Sequence, residues 1–223
     1  MSIATMILGE SGTGKTTSLR NLSASETLLI QAVKKPLPFR SADWKLASKE
    51  NPNGSIFVSD CSPKICAAMQ RTHKTIIVID DFQYILANEF MRRVTDNEVG
   101  NSAFQKYNEI ARSAWDILMG AASLADEKRV YILSHTSTDD FGKTKIKTIG
   151  KLLDEKIVME GLVTIVLKTV VQNGKYLFST HNSGSDTTKS PLGLFADDLI
   201  ENDLNAVDRA ICDYYGITTG QPV

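Results

Sequence analysis

Residues 9–16 read GESGTGKT, the G-x-x-x-x-G-K-T spacing of a phosphate-binding loop, set between the apolar run at 3–8 and the segment TSLRNL. No other stretch constrains the fold as strongly, because a buried strand must deliver such a loop and a helix must carry the chain away from it. The glycines allow backbone N–H groups to curl around phosphate oxygens while the helix turns its N-terminus toward the same charge. The predicted nucleotide-binding residues are Gly9, Glu10, Ser11, Gly12, Thr13, Gly14, Lys15, Thr16 and Thr17. Lys15 is expected to reach the β- and γ-phosphates, and Thr16 to hold Mg²⁺. A glycine-rich turn of similar spelling is the alternative, and the flanking strand and helix patterns argue against it.

Charge and composition exclude several function classes. The chain has 223 residues, 42% of them hydrophobic, enough for one substantial core and short for two, so a single domain over 1–223 is expected. The formal net charge is -1, which gives no global cationic field, and any nucleic-acid contact must be local. Cys61, Cys66 and Cys212 are odd in number and contain no C-x-x-C pair, so neither a zinc site nor a disulfide framework is indicated and a reducing cytoplasm fits. The first apolar run is only a few residues long, which predicts neither a signal peptide nor a membrane span.

Strands and helices alternate along the sequence. A helix near 16–22 is followed by the apolar run 27–33, and then by 34–55, whose KKPLPFR and NPNG motifs read as a long surface loop. A short helix at 63–71 precedes the β-branched strand 75–79. Phe82, Ile85, Leu86 and Phe90 recur at helical spacing, as do Phe104, Tyr107, Ala111, Ala114 and Leu118 within 102–125. Strand 129–133 follows, then strands 162–171 and 175–180 around Gln172, Asn173 and Gly174, an Asn-Gly hairpin signal. Leu204, Val207, Ile211 and Tyr214 mark a last helix, capped by Asn202 or Asp203. The predicted fold is α/β: a largely parallel central sheet with helices on both faces, a C-terminal β-hairpin at one edge, and the site at the strand carboxyl ends.

The run IIVIDD at 76–81 supplies the second chemical element, an apolar strand ending in carboxylates. Asp80 matches the Walker B position, whose carboxylate holds Mg²⁺ directly or through water. Asp81 is the candidate to polarise an attacking water; an aspartate is shorter than the usual glutamate, so slow hydrolysis is expected. Ser134 and His135 end the next strand, where a polar side chain can sense the γ-phosphate, and His135 is a further candidate to donate to phosphate or orient water. The bland alternative for His135 is a strand-end histidine bonded to nearby backbone.

With these residues in view, GESGTGKTTSLRNL, KPLPFR, IIVIDDFQYILANEFM, LSHT, GKTKIKTIGKLLDEK and SPLGLF together resemble the RecA-like P-loop ATP-binding proteins of bacteriophages, over nearly the whole chain. Some of those relatives are single-strand annealing recombinases. The resemblance implies a RecA-like core, ATP and Mg²⁺ as cofactors, single-stranded DNA as partner, a ring or filament of identical subunits, and the cytoplasm of an infected bacterial host. RecA places its catalytic glutamate at the end of the strand after the phosphate-loop helix, where this chain has Gln31, Ala32, Val33 and Lys34, so the catalytic carboxylate either lies elsewhere, with Asp81 the candidate, or is missing.

Lys143, Lys145 and Lys147 alternate in the loop after His135, with Lys151 nearby, and an extended row of cations can track phosphates without reading bases. Asp139, Asp140 and Asp154 dilute that charge, leaving an ordinary solvated loop as the alternative. Lys189, in the stretch 182–190 expected to be flexible, is a candidate trans-acting cation for a neighbour's γ-phosphate. Besides an ATPase controlling assembly on DNA, the phosphate loop admits a small-molecule kinase or an ATP-bound scaffold. The kinase is disfavoured because the segment after Ser134 has no arginine until Arg209.

Overall fold

The computed structural model describes residues 1–94, 101–150 and 152–218, with side chains except at 101–104 and 154. Lys151 and the side chains of Phe104 and Asp154 therefore lie outside the described residues. Five apolar segments form the parallel body of an eight-stranded sheet: β1 (Ile3–Leu8), β2 (Thr27–Gln31), β3 (Ile56–Val58), β4 (Ile76–Asp80) and β5 (Arg129–Ser134). A short hairpin follows as β6 (Thr136–Thr138) and β7 (Thr144–Ile146), and β8 (Ile165–Gln172), β9 (Lys175–Ser179) and β10 (Leu199–Glu201) complete the main sheet. Its order is β10-β9-β8-β1-β5-β4-β2-β3. β8 runs parallel to β1, while β8–β9 and β9–β10 are antiparallel, so the expected hairpin forms at one side of the sheet, with β10 added outside it as the edge strand. Its turn places Asn173 at φ 52° and Gly174 at φ 74°, the paired positive angles that a two-residue turn with right-handed strand twist requires.

Both faces of the sheet are covered, which is why its strands read as continuous apolar runs. Met6, Leu8, Ile77, Ile79, Val130 and Ile132 face helices α1 (Ser62–Arg71), α2 (Phe82–Arg92) and α3 (Asn101–Ala122). The alternate residues Ile7, Val78, Tyr131 and Leu133 face Leu19, Leu22 and the final helix α4 (Leu204–Tyr215). Asp203 caps α4, its carboxylate accepting from the Asn205 N–H at 2.9 Å. Ala111, Ala114 and Leu118 of α3 are buried as their spacing predicts, whereas Tyr214 of α4 is 44% exposed and donates its hydroxyl to the Leu192 carbonyl.

Three expectations change. The segment after the phosphate loop is a 3₁₀ helix of six residues, Thr16–Asn21, rather than a longer helix to 22. Its sequence opens with two β-branched threonines and then Ser18, whose hydroxyl donates back to the Lys15 carbonyl at 2.6 Å, a contact that competes with regular helix. The segment 34–55 is more than a surface loop: Trp44 is only 9% exposed in the core, edge-on to Phe39, and Leu46 bridges to Ile56. Sparse aromatic residues in a Pro- and Asn-rich run thus cover the sheet beside its short edge strand. The stretch 182–190 is tied down rather than loose, since Lys189 and Val166 exchange backbone hydrogen bonds at 2.8 and 2.9 Å. Buried Asp186 reinforces it by accepting from Lys168, Ser183 and the Thr188 N–H.

Candidate nucleotide site

The parallel body brings the carboxyl ends of β1, β2, β4 and β5 to one rim, and a cleft of about 360 Å³ opens there. Ser11, Gly12, Gly14, Lys15, Thr16, Thr17, Lys35, Asp81, Tyr84, His135 and Tyr176 contribute to its walls. A larger cavity of about 620 Å³ lies at the opposite strand ends and contains none of the predicted site residues. Its Lys74 is already bonded to the carbonyls of Ala24 and Ser25.

The loop conformation depends on its glycines. Gly12 and Gly14 have φ of 78° and 94°, and a Cβ at Gly9 would lie 1.8 Å from the Thr169 hydroxyl. Gly9 N–H donates to the Ser134 carbonyl at 3.2 Å, and Thr13 binds the Glu10 carbonyl at 2.7 Å and the Thr169 hydroxyl at 2.6 Å. These contacts fasten both ends of the loop to β5 and β8. Lys15 is 6% exposed and donates to the Gly9 and Glu10 carbonyls at 2.8 and 2.7 Å. Burial lowers its pKa to about 8, although Asp80 and Asp81 oppose that shift. Its ammonium is therefore held by neutral acceptors within a partly desolvated anion cradle.

Thr16 Oγ1 lies 3.0 and 3.2 Å from the two Asp80 carboxylate oxygens, donating to that group. Asp80 is 1% exposed; burial and then the neighbouring Asp81 push its pKa up to about 6. A hydroxyl beside a carboxylate in a dry recess is an oxygen donor pair of the type that Mg²⁺ takes. Asp81 adopts the left-handed conformation, φ 59° and ψ 40°, so the chain reverses from β4 into α2 and its N–H donates to Asp80 at 3.0 Å. That backbone state is uncommon outside glycine and recurs at functional sites.

The Asp81 side chain, 6% exposed, forms an ion pair with Lys35, and His135 Nε2 lies 3.8 Å from its other oxygen. His135 packs edge-on against Tyr84, and burial followed by the Lys15 charge lowers its pKa, keeping it neutral near pH 7. Ser134, the other predicted sensor, is fully buried and its hydroxyl has no partner among the described residues. Its carbonyl, through Gly9, contributes to loop position.

Lys143, Lys145 and Lys147 occupy one side of the β6–β7 hairpin, opposite buried Ile146. Lys143 and Lys147 are exposed and Lys145 is half-buried; Phe141, 96% exposed, stands at the hairpin tip. The Lys147 N–H donates to the His135 carbonyl at 2.8 Å, joining hairpin to cleft. Lys189 is half-buried on its pinned segment, outside the cleft lining.

Sequence reasoning missed Lys35, Tyr84 and Tyr176 in the cleft. For Lys35 a signal existed, since it stands four positions beyond the end of a parallel strand whose carboxyl end faces the site. No helix among the described residues is long and apolar enough to cross a membrane. No protein-family model and no curated protein matches the chain.

Proposed function

We propose that the protein is a RecA-like, Mg²⁺-dependent ATPase whose nucleotide state governs assembly on single-stranded DNA. The observation that carries this reading is the meeting of Thr16 and Asp80 at 3.0 Å beside the glycine cradle, because a phosphate loop and a strand-end carboxylate together complete a metal-triphosphate site. Lys15 would exchange its loop carbonyls for β- and γ-phosphate oxygens. Thr16 and Asp80 would hold Mg²⁺, which when bound neutralises charge developing on the phosphates. In hydrolysis, a water oxygen attacks the γ-phosphorus and the bond to the β,γ-bridging oxygen breaks, its electron pair leaving on ADP. Asp81 would take the water proton before releasing it to solvent, with neutral His135 alongside to orient the water. Exposed Phe141 at the tip of the hairpin, two residues before Lys143, supports the single-strand reading, since an aromatic face and a cationic row are the two elements such binding uses.

The test is labelled-ATP affinity with Mg²⁺, followed by phosphate release with and without single-stranded DNA. Tight binding that Lys15→Ala abolishes, with turnover altered by DNA, is the expected result. Unchanged affinity in that variant would remove the reading. Phosphate passed to a small acceptor would point to a kinase, and tight binding without turnover to a scaffold.

A further inference from the structure

Lys35 is the cation of the cleft that the phosphate-loop pattern leaves unexplained. Its main chain is fixed where Gln31 Nε2 donates to the Lys35 carbonyl at 3.1 Å, immediately beyond β2. From there the ammonium crosses to Asp81, a carboxylate on β4's carboxyl end, and lines the same cleft as Gly12, Lys15 and Thr16. The Lys35 charge reaches Lys15 across the cleft, being among the groups that lower the Lys15 pKa. Both ammonium groups rest on protein acceptors, Lys15 on carbonyls and Lys35 on a carboxylate. The Lys35 side chain is 41% exposed whereas Asp81 is 6% exposed, so the carboxylate is fixed and the cation has room to leave. Lysine suits such a role because its charge sits on a flexible four-carbon stem.

We propose, on the basis of the nucleotide reading above, that Lys35 is a γ-phosphate-binding residue that distinguishes a nucleoside triphosphate from a diphosphate. With a triphosphate in the cleft, Lys35 exchanges Asp81 for the terminal phosphate, and Asp81 is uncovered on the side where water would approach. A diphosphate ends within reach of the loop and Lys15, and leaves the Lys35–Asp81 pair intact. The segment after β2 thereby supplies in cis a positive charge of the kind for which Lys189 was the candidate in trans.

The experiment measures dissociation constants for ADP and for a non-hydrolysable ATP analogue, with Mg²⁺, in the parent, Lys35→Gln, Lys35→Arg and the double variant Lys35→Gln/Asp81→Asn. The parent should favour the analogue. Lys35→Gln should lose about 10-fold or more of that preference, the scale of one charge-assisted hydrogen bond, with ADP affinity held within about twofold. Lys35→Arg should retain most of the preference. The double variant leaves no uncompensated carboxylate, so it stays informative should the single variant fold poorly, and it should also lack the preference. Return of the preference in the double variant, or equal weakening of both nucleotides in Lys35→Gln, would overturn the proposal by reducing Lys35 to a neutraliser of Asp81. A parent that binds both nucleotides equally would overturn the Lys35 role alone; a parent that binds neither would remove the nucleotide reading and the Lys35 role with it.

Discussion

Asp80 and Asp81 are adjacent in sequence yet stand in different environments, and the difference assigns them different work. Asp80 is buried against Thr16, and burial followed by the neighbouring Asp81 raises its pKa to about 6, so its charge is poorly solvated within the protein. Asp81 faces the cleft, paired to Lys35 and near His135. Asp80→Asn is therefore expected to lose the Mg²⁺-dependent part of nucleotide affinity. Asp81→Asn should leave affinity nearly intact while slowing hydrolysis by about 100-fold or more, the usual effect of removing a positioned base. Nucleotide titrations with Mg²⁺ or a chelator, paired with steady-state phosphate release, separate the two; parental rates in both variants would refute the division. Thr16 and Asp80 were legible in the sequence because a loop spacing and a strand end each carry their own signal. The Lys35–Asp81 pair was not, because it depends on β2 and β4 being neighbours, a fact of sheet order that neither segment spells.

At the scale of elements, what was legible followed from long apolar periodicity, and what was missed was short. β1, β2, β4, β5 and β8, α1 to α4 and the Asn-Gly hairpin all have strong patterns or turn residues. β3, β6, β7 and β10 have three residues each, too few for a period to register, and their positions come from edges and loops rather than from propensity. The anchoring of α4 through a buried carboxylate was also invisible. Arg129 binds the two Asp208 oxygens at 2.9 Å each, and the Tyr131 hydroxyl donates to the same carboxylate at 2.5 Å, all three residues being buried. Burial, assisted by the Asp208 charge, holds the tyrosine pKa well above its usual value, so the hydroxyl remains a donor. Asp208→Ala would strand a buried guanidinium, at an expected cost of about 3–5 kcal/mol. Urea unfolding monitored by circular dichroism measures it, and a loss below about 1 kcal/mol would mean that water replaces the carboxylate.

At the scale of the whole molecule, a net charge of -1 cannot hold a polyanion by itself, so the location of the cations decides whether single-stranded DNA can bind. The β6–β7 hairpin concentrates Lys143, Lys145 and Lys147 on one side, while Ile146 fastens the other side to the core that also holds α2 and α3. Its base joins the cleft through the Lys147–His135 backbone bond, and its second strand joins the pinned stretch through Thr144 N–H and the Ser185 carbonyl at 2.8 Å. A change in the cleft at His135 is thus mechanically adjacent to the lysine row. Neutralising the three lysines together should remove about three phosphate contacts and lower the slope of log affinity against log salt by roughly two units for a single strand. Nucleotide affinity should survive, because none of the three lines the cleft. The parent should bind DNA more tightly with a non-hydrolysable ATP analogue than with ADP, if the γ-phosphate is what repositions the hairpin base. Fluorescence anisotropy of a labelled oligonucleotide across a salt series, for parent and triple variant in both nucleotide states, reads all three quantities. Equal slopes would exclude the hairpin as the DNA contact, and equal affinities in the two nucleotide states would uncouple it from the cleft.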